Sequence, residues 1–129
     1  ISNEDIQEVF SRTRQQAHGG YCGLTGVCGI TPAIGACVSV LTGSRCGMDE
    51  EQRLTMELTS RVGRTITDLT GPSCCKAYVR ASLDVAVQFL QDKLGVNLCS
   101  SPADTCRYID KHPHGCRLEK CLYYQKDIT

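Results

Sequence analysis

The sequence predicts an all-α fold, a four-helix domain with a cysteine-rich C-terminal tail. Three observations lead there. Apolar residues recur at helical spacing along the chain, capping and breaking residues fall where those stretches start and stop, and beyond Gly95 the pattern gives way to a helix-poor run of cysteine and histidine. The expected organisation is a helical domain over residues 1–96, including a glycine and cysteine loop, and a Cys/His-rich tail over 97–129 packed on it.

The first helix is expected from about Asn3 to Gln16. Ser2, Asn3, Glu4 and Asp5 supply polar caps and first-turn acids, and Ile6, Val9, Phe10 and Ala17 recur at helical spacing. His18-Gly19-Gly20 ends it, since glycine just past the last turn is the usual stop. Thr31-Pro32 then reads as a helix start, with Thr as cap and Pro at the first helical position. The segment Pro32–Leu41 that follows is apolar nearly all round, which predicts a buried, central helix. It is far shorter than the roughly 20 apolar residues a membrane span needs, so no membrane association is expected. Gly35 and Ala36 would admit a neighbouring helix closely, and Cys37 reads as a small core residue rather than a ligand.

Asp49-Glu50-Glu51 opens a third helix, expected to run to Thr70, with Leu54, Leu58, Val62, Ile66 and Leu69 on one face. Arg53, Arg61 and Arg64 lie opposite, as a solvated face would have them. Gly71-Pro72 stops this helix. The last long helix is expected over Cys74–Leu94, with a stripe of Val79, Leu83, Ala86, Leu90 and Leu94. An N-terminal helical turn favours anionic groups, so Cys74 and Cys75 sit where thiolates form most readily.

At 129 residues the chain can bury a conventional core, and its 14 basic residues balance 14 acidic ones. No global field draws it to nucleic acid, and 5% aromatic content without Trp offers no stacking platform for bases. Nucleic acid is therefore not an expected partner. The anomaly is ten cysteines, which disulfides, metal sites or reactive thiols could each explain. Enough amphipathic helix for an ordinary core favours metal or reactive thiols in a reducing cytoplasm over a secreted, disulfide-built domain.

Two stretches concentrate the thiols. His18 to Gly29 holds five glycines, Cys22 and Cys28, and such a loop can wrap a ligand while its thiols point inward. Gly71-Pro72-Ser73-Cys74-Cys75-Lys76 forms a second turn ahead of the last helix. Read as halves of one site, they give Cys22, Cys28, Cys74 and Cys75 as metal ligands, with His18, Gly19, Gly20 and Gly23 lining the loop. A glycine-lined pocket with three or four thiolates fits an iron–sulfur cluster better than zinc, although zinc remains the alternative cofactor. A cluster with one open iron could serve sulfur transfer or redox chemistry. Cys75, or Cys74, would then be a nucleophile or acid, with Lys76 stabilising its thiolate. His18 near Cys22 could also form a nucleophile and base pair, but no protease signature surrounds it. In the tail, Cys99, Cys106, Cys116 and Cys121 form a second candidate metal site beside His112 and His114. That tail has almost no apolar core and needs a crosslink, metal or disulfide, to stay ordered.

The two motifs together, His18-Gly19-Gly20-Tyr21-Cys22-Gly23 and Gly71-Pro72-Ser73-Cys74-Cys75-Lys76, resemble an uncharacterised cysteine-rich prokaryotic domain. That domain occurs mostly in anaerobes, free-standing or joined to S-adenosylmethionine-dependent methyltransferases, and the resemblance covers about residues 18–96. It implies an oxygen-sensitive cluster in a reduced cytoplasm and a methyltransferase or sulfur-carrier protein as a partner. Thr25 and Ser73 depart from the aromatic and basic residues more usual there.

Overall fold

The computed structural model describes residues 1–98, 106 and 110–121. It is all-helical: α1 (Asn3–Gln16), α2 (Tyr21–Leu24), α3 (Ile30–Thr42), α4 (Asp49–Asp68) and α5 (Cys75–Leu94), followed by one 3-10 turn at Leu118–Lys120. The chain divides into two compact units, Ile1–Arg64 and Thr65–Thr129, with the boundary inside α4. Among the described residues, no helix is long and apolar enough to cross a membrane.

In the first unit, α1 begins where the capping residues require. Ser2 Oγ accepts from the Asp5 backbone N–H at 3.1 Å, while the Asp5 carboxylate accepts from the Ser2 N–H at 3.0 Å. This reciprocal box satisfies two donors that a helix start otherwise leaves orphaned. Along its length α1 packs on α3. Arg12 Nη1 donates to Ser39 Oγ at 2.7 Å, and Ser39 Oγ donates to the carbonyl of buried Ser44, tying α1 to the end of α3.

Helix α3 starts two residues before the expected Pro32, at Ile30, with Gly29 rather than Thr31 as its N-cap. Proline is compatible with any position in the first turn, so Pro32 marks the beginning without fixing the first residue. Ile34, Gly35, Ala36 and Val38 are buried as the apolar segment predicts. Gly35 admits α4 closely: a Cβ there would lie 2.8 Å from the Thr59 methyl. Cys37, expected in the core, is instead exposed. Cys37 lies at an open groove between α1 and α3, which leaves one side of the thiol in solvent.

On α4, Leu58 and Val62 are fully buried and Leu54 is half-buried. The opposite face carries the ion pairs Asp49–Arg53 and Glu57–Arg61, each one helical turn apart, as expected of a solvated face.

The second unit is built around α5, whose buried face is Ala77, Tyr78, Ser82, Ala86 and Phe89. The expected stripe holds in part: Ala86 is buried and Leu90 and Leu94 are half-buried, but Val79 and Leu83 are 37% and 47% exposed. Apolar residues occur on more than one side of this helix, so spacing alone does not select the buried side. The face actually buried combines small residues, which allow close approach, with two aromatic rings that fill volume.

Candidate functional site

The short segment between α4 and α5 is shaped by Gly71, whose φ of +95° lies in the left-handed region that side-chain-bearing residues avoid. Its missing side chain is also spatially required. A Cβ on Gly71 would lie 3.3 Å from Lys120 Cδ and 3.6 Å from the Arg117 side chain. The tail therefore passes directly over this turn. Arg117 is 5% exposed, and its Nε donates to the Thr70 carbonyl at 2.7 Å. Tyr78 closes the turn from the helix side, its hydroxyl 3.4 Å from Ser73 Oγ.

This turn delivers Cys74 to the start of α5. Cys74 is the N-cap in extended conformation, and its carbonyl accepts the Tyr78 N–H at 3.0 Å, but its side chain makes no capping bond. The sulfur points elsewhere. Cys74 and Ala77 form a buried apolar patch, and Cys106 and Cys121 pack against it. His112 completes the surroundings, with Nδ1 3.6 Å from Cys74 Sγ. Cys75, one residue on, is exposed, as is Lys76.

The Cys74–His112 separation has a geometric meaning. A tetrahedral metal bound at about 2.3 Å by sulfur and about 2.0–2.1 Å by nitrogen sets those two atoms roughly 3.5–3.6 Å apart. The same spacing suits a thiol–imidazole hydrogen bond. Among the described residues, no group of three or more His, Cys, Asp or Glu side chains is arranged to hold a metal ion.

The tail adds one further sulfur contact. The Leu118 N–H donates to Cys116 Sγ at 3.4 Å, and Leu118 holds a φ of +54°, in the left-handed region. For a branched apolar residue that conformation is strained. His112 begins a turn closed by the Gly115 N–H on its carbonyl at 3.3 Å, with Gly115 at a φ of +89°.

The glycine loop of the first unit is built differently. Gly20 and Gly26 hold positive φ, and Gly29 lies against Ala17, where a Cβ would come within 3.2 Å. Gly19 and Gly23 do neither: among the described residues, no atom beyond their chain neighbours and their own helix backbone lies within 4 Å of where their side chains would start. Residues expected to be loop form the one-turn helix α2, which carries exposed Cys22. His18 stacks at a tilt on Tyr21, ring centres 5.4 Å apart, and its Nε2 lies 3.4 Å from the Gln15 carbonyl. Cys28 is half-buried just before α3. Cys22 and Cys28 thus belong to the first unit, and Cys74 and Cys75 to the second. Of the expected tail ligands, Cys106 and Cys121 lie at the Cys74 patch, Cys116 bonds within its own turn, and Cys99 lies outside the described residues.

Sequence spacing gave no reason to join Cys74 to His112, 38 residues away. Arg117 went unnoticed as well, because one arginine in a polar tail carries no pattern. The only available signal was the density of thiols and imidazoles after residue 95.

An all-helical, cysteine-rich domain with a thiol and imidazole centre at a helix start is the class these features define. The chain belongs to the DUF5714 family, a family of unknown function, whose pattern matches residues 1–124. No curated protein and no solved structure matches it.

Proposed function

We propose that the protein is a metal-binding thiol protein whose second unit holds a thiophilic ion at Cys74 and His112, with Cys106 and Cys121, which pack on the same patch, moving in to complete the donor set when the ion binds. The observation that carries this reading is the 3.6 Å separation of Cys74 Sγ and His112 Nδ1, beside a patch on which Cys106 and Cys121 already pack. Three sulfurs and one imidazole are a donor set suited to zinc, and a closed set of four suits a structural role. The ion would supply a crosslink that the sparse apolar content of the tail does not.

A second reading, an iron–sulfur cluster, is favoured by the N–H bond from Leu118 to Cys116 Sγ. Such bonds stabilise thiolate sulfur, and Cys116 would add a fourth sulfur to those of Cys74, Cys106 and Cys121. The resemblance to domains joined to methyltransferases supports a methyltransferase or sulfur-carrier partner and a reducing cytoplasm as the setting.

Anaerobic purification followed by zinc, iron and acid-labile sulfide analysis tests both. One zinc per chain without sulfide is expected. Iron with equivalent sulfide selects the second reading. A protein that holds neither, and takes up neither zinc nor iron with sulfide under reducing conditions, overturns both.

A further inference from the structure

We infer that the first unit holds a site of its own, a cleft between α1, α3 and α4 that binds a small organic carboxylate, with Arg12 as the residue that takes the carboxylate. The inference is independent of the thiol centre, since every residue it uses belongs to Ile1–Arg64.

The cleft has a volume of about 370 Å³. Its floor is made of the smallest side chains of α3, the buried Gly35 and Ala36, which leave the space above them unfilled. Helix α4 lines a second side with Thr55 and Thr59. Both hydroxyls are engaged along their own helix, Thr55 donating to the Glu51 carbonyl at 2.9 Å and Thr59 to the Met56 carbonyl at 3.0 Å. What these residues turn toward α3 is methyl: a Cβ on Gly35 would lie 2.8 Å from the Thr59 methyl and 4.0 Å from that of Thr55. Together with the Pro32 ring, this part of the lining is apolar and fits a hydrocarbon body.

The α1 side is polar, lined by Arg12, Gln15 and Gln16. Arg12 is held at two points, its Nε donating to the Glu8 carboxylate at 2.8 Å and its Nη1 to Ser39 Oγ at 2.7 Å. Ser39 is fixed in turn by donating to the Ser44 carbonyl at 3.3 Å. These bonds set the guanidinium plane while using only two of the five N–H groups that an arginine carries. Among the described residues, the Nη2 group and the side-chain amides of Gln15 and Gln16 make no hydrogen bond, and no carboxylate lines the cleft.

That lining specifies a ligand. A guanidinium held in one plane matches the two oxygens of a carboxylate, and the amides can bond a second polar group. A cation of the same shape would meet Arg12 unfavourably, and an alcohol would leave its charge unanswered. The volume, roughly a dozen water volumes, lies at the small end of the range for small-molecule sites and suits an aliphatic acid of about four to eight carbons.

The test titrates the isotope-labelled, reduced, full-length protein with butanoate and hexanoate, using butanol, butylamine and sulfate as matched controls. Backbone amide resonances and the Arg12 Nε–H resonance report binding, and circular dichroism confirms that each variant is folded. The acids are expected to give saturable shifts at Arg12, Gln15, Gln16, Gly35 and Ser39, tighter for hexanoate than for butanoate, and the alcohol and amine none. Arg12→Met, which keeps the stem and removes the charge, is expected to weaken hexanoate by about 10- to 100-fold. Arg12→Lys, which restores the charge without the planar fork, should recover only part of that loss. Gln15→Ala and Gln16→Ala, on exposed side chains with no structural bonds among the described residues, should each weaken it by up to about tenfold. Shifts that fail to saturate in the millimolar range, or that the alcohol reproduces, would overturn the site. Sulfate binding as tightly as hexanoate would reduce it to an adventitious ion only. Unchanged hexanoate affinity in folded Arg12→Met would overturn the role of Arg12.

Discussion

The two thiol-bearing turns share their composition and differ in what their glycines do. In the first unit, Gly19 and Gly23 face open space around exposed Cys22, and the loop satisfies itself through α2 and the His18–Tyr21 contact. In the second, Gly71 has both a positive φ and side chains pressed against it, and the neighbouring Cys74 is buried among other thiols and an imidazole. Glycine content therefore marks two different things: a place where the chain turns in solvent, and a place where another segment must pass. Only the second builds a centre. Cysteines follow the same division, since burial with a partner, rather than number, separates Cys74 from Cys22.

The sharpest way to break this contrast is to exchange matched residues between the turns. Cys74→Ser puts a hydroxyl into an apolar patch and removes a proposed ligand. It is expected to lower unfolding free energy by about 1–3 kcal/mol without metal, and by more with metal present. Cys22→Ser, on the exposed loop, is expected to stay within about 0.5 kcal/mol of the parent. Equal losses in urea denaturation would erase the distinction. Next in size, Gly71→Ala meets both a forbidden backbone region and the Lys120 and Arg117 stems, and should cost about 1–2 kcal/mol. Gly23→Ala meets nothing and should be neutral or stabilising by up to about 1 kcal/mol. A destabilised Gly23→Ala would mean that the loop closes on something the second unit's turn lacks.

A third test sharpens the packing side of the comparison. Ser82 is fully buried on the core face of α5, and among the described residues its hydroxyl has no hydrogen-bond partner. Removing an unsatisfied buried hydroxyl is expected to stabilise, so Ser82→Ala should raise the thermal midpoint, by an amount equivalent to about 1 kcal/mol. A lowered midpoint would mean that Ser82 contributes something beyond volume.

Much of the helical plan was legible because it rests on local chemistry. Asn3–Gln16 is the observed α1 residue for residue, set by the Ser2 and Asp5 box at one end and by Ala17 before the glycines at the other. Helix α4 starts at Asp49 and α5 ends at Leu94 as expected, and the other ends of α3, α4 and α5 differ by one or two residues, where Pro32, Thr70 and Cys74 are compatible with either side of a boundary. What could not be read is tertiary. Val79 and Leu83 are as apolar as Tyr78 and Phe89, and only the neighbours decide which side is covered. The Gly35–Thr59 approach was legible in part, since two small residues on an apolar helix announce a close neighbour without naming it. The Cys74, His112 and Arg117 arrangement depends on a turn at residue 71 accepting a segment more than 40 residues later, and no periodicity encodes that.

The smallest expected effect concerns Cys37, a thiol that lies outside both the open loop and the packed centre. It lines a groove of about 430 Å³ between α1 and α3, with Ile6, Phe10, Val40 and Leu41 among its walls. Although one side is open to solvent, those apolar walls raise its pKa by disfavouring the thiolate. Because the folded-state value lies above the unfolded one, the folded chain holds its proton more tightly. That contribution is complete below the unfolded-state value of about 8.5, and it is lost as pH rises through the higher folded value. Stability should therefore decline in this window by more in the parent than in Cys37→Ala, as denaturation midpoints at pH 8 and pH 10 would record. The same preference for the neutral thiol predicts that Cys37 is alkylated more slowly than Cys22 at pH 8, although both are exposed. Faster labelling of Cys37 would show that the groove walls part in solution, and that exposure alone, without the character of the surrounding surface, ranks the thiols of the first unit.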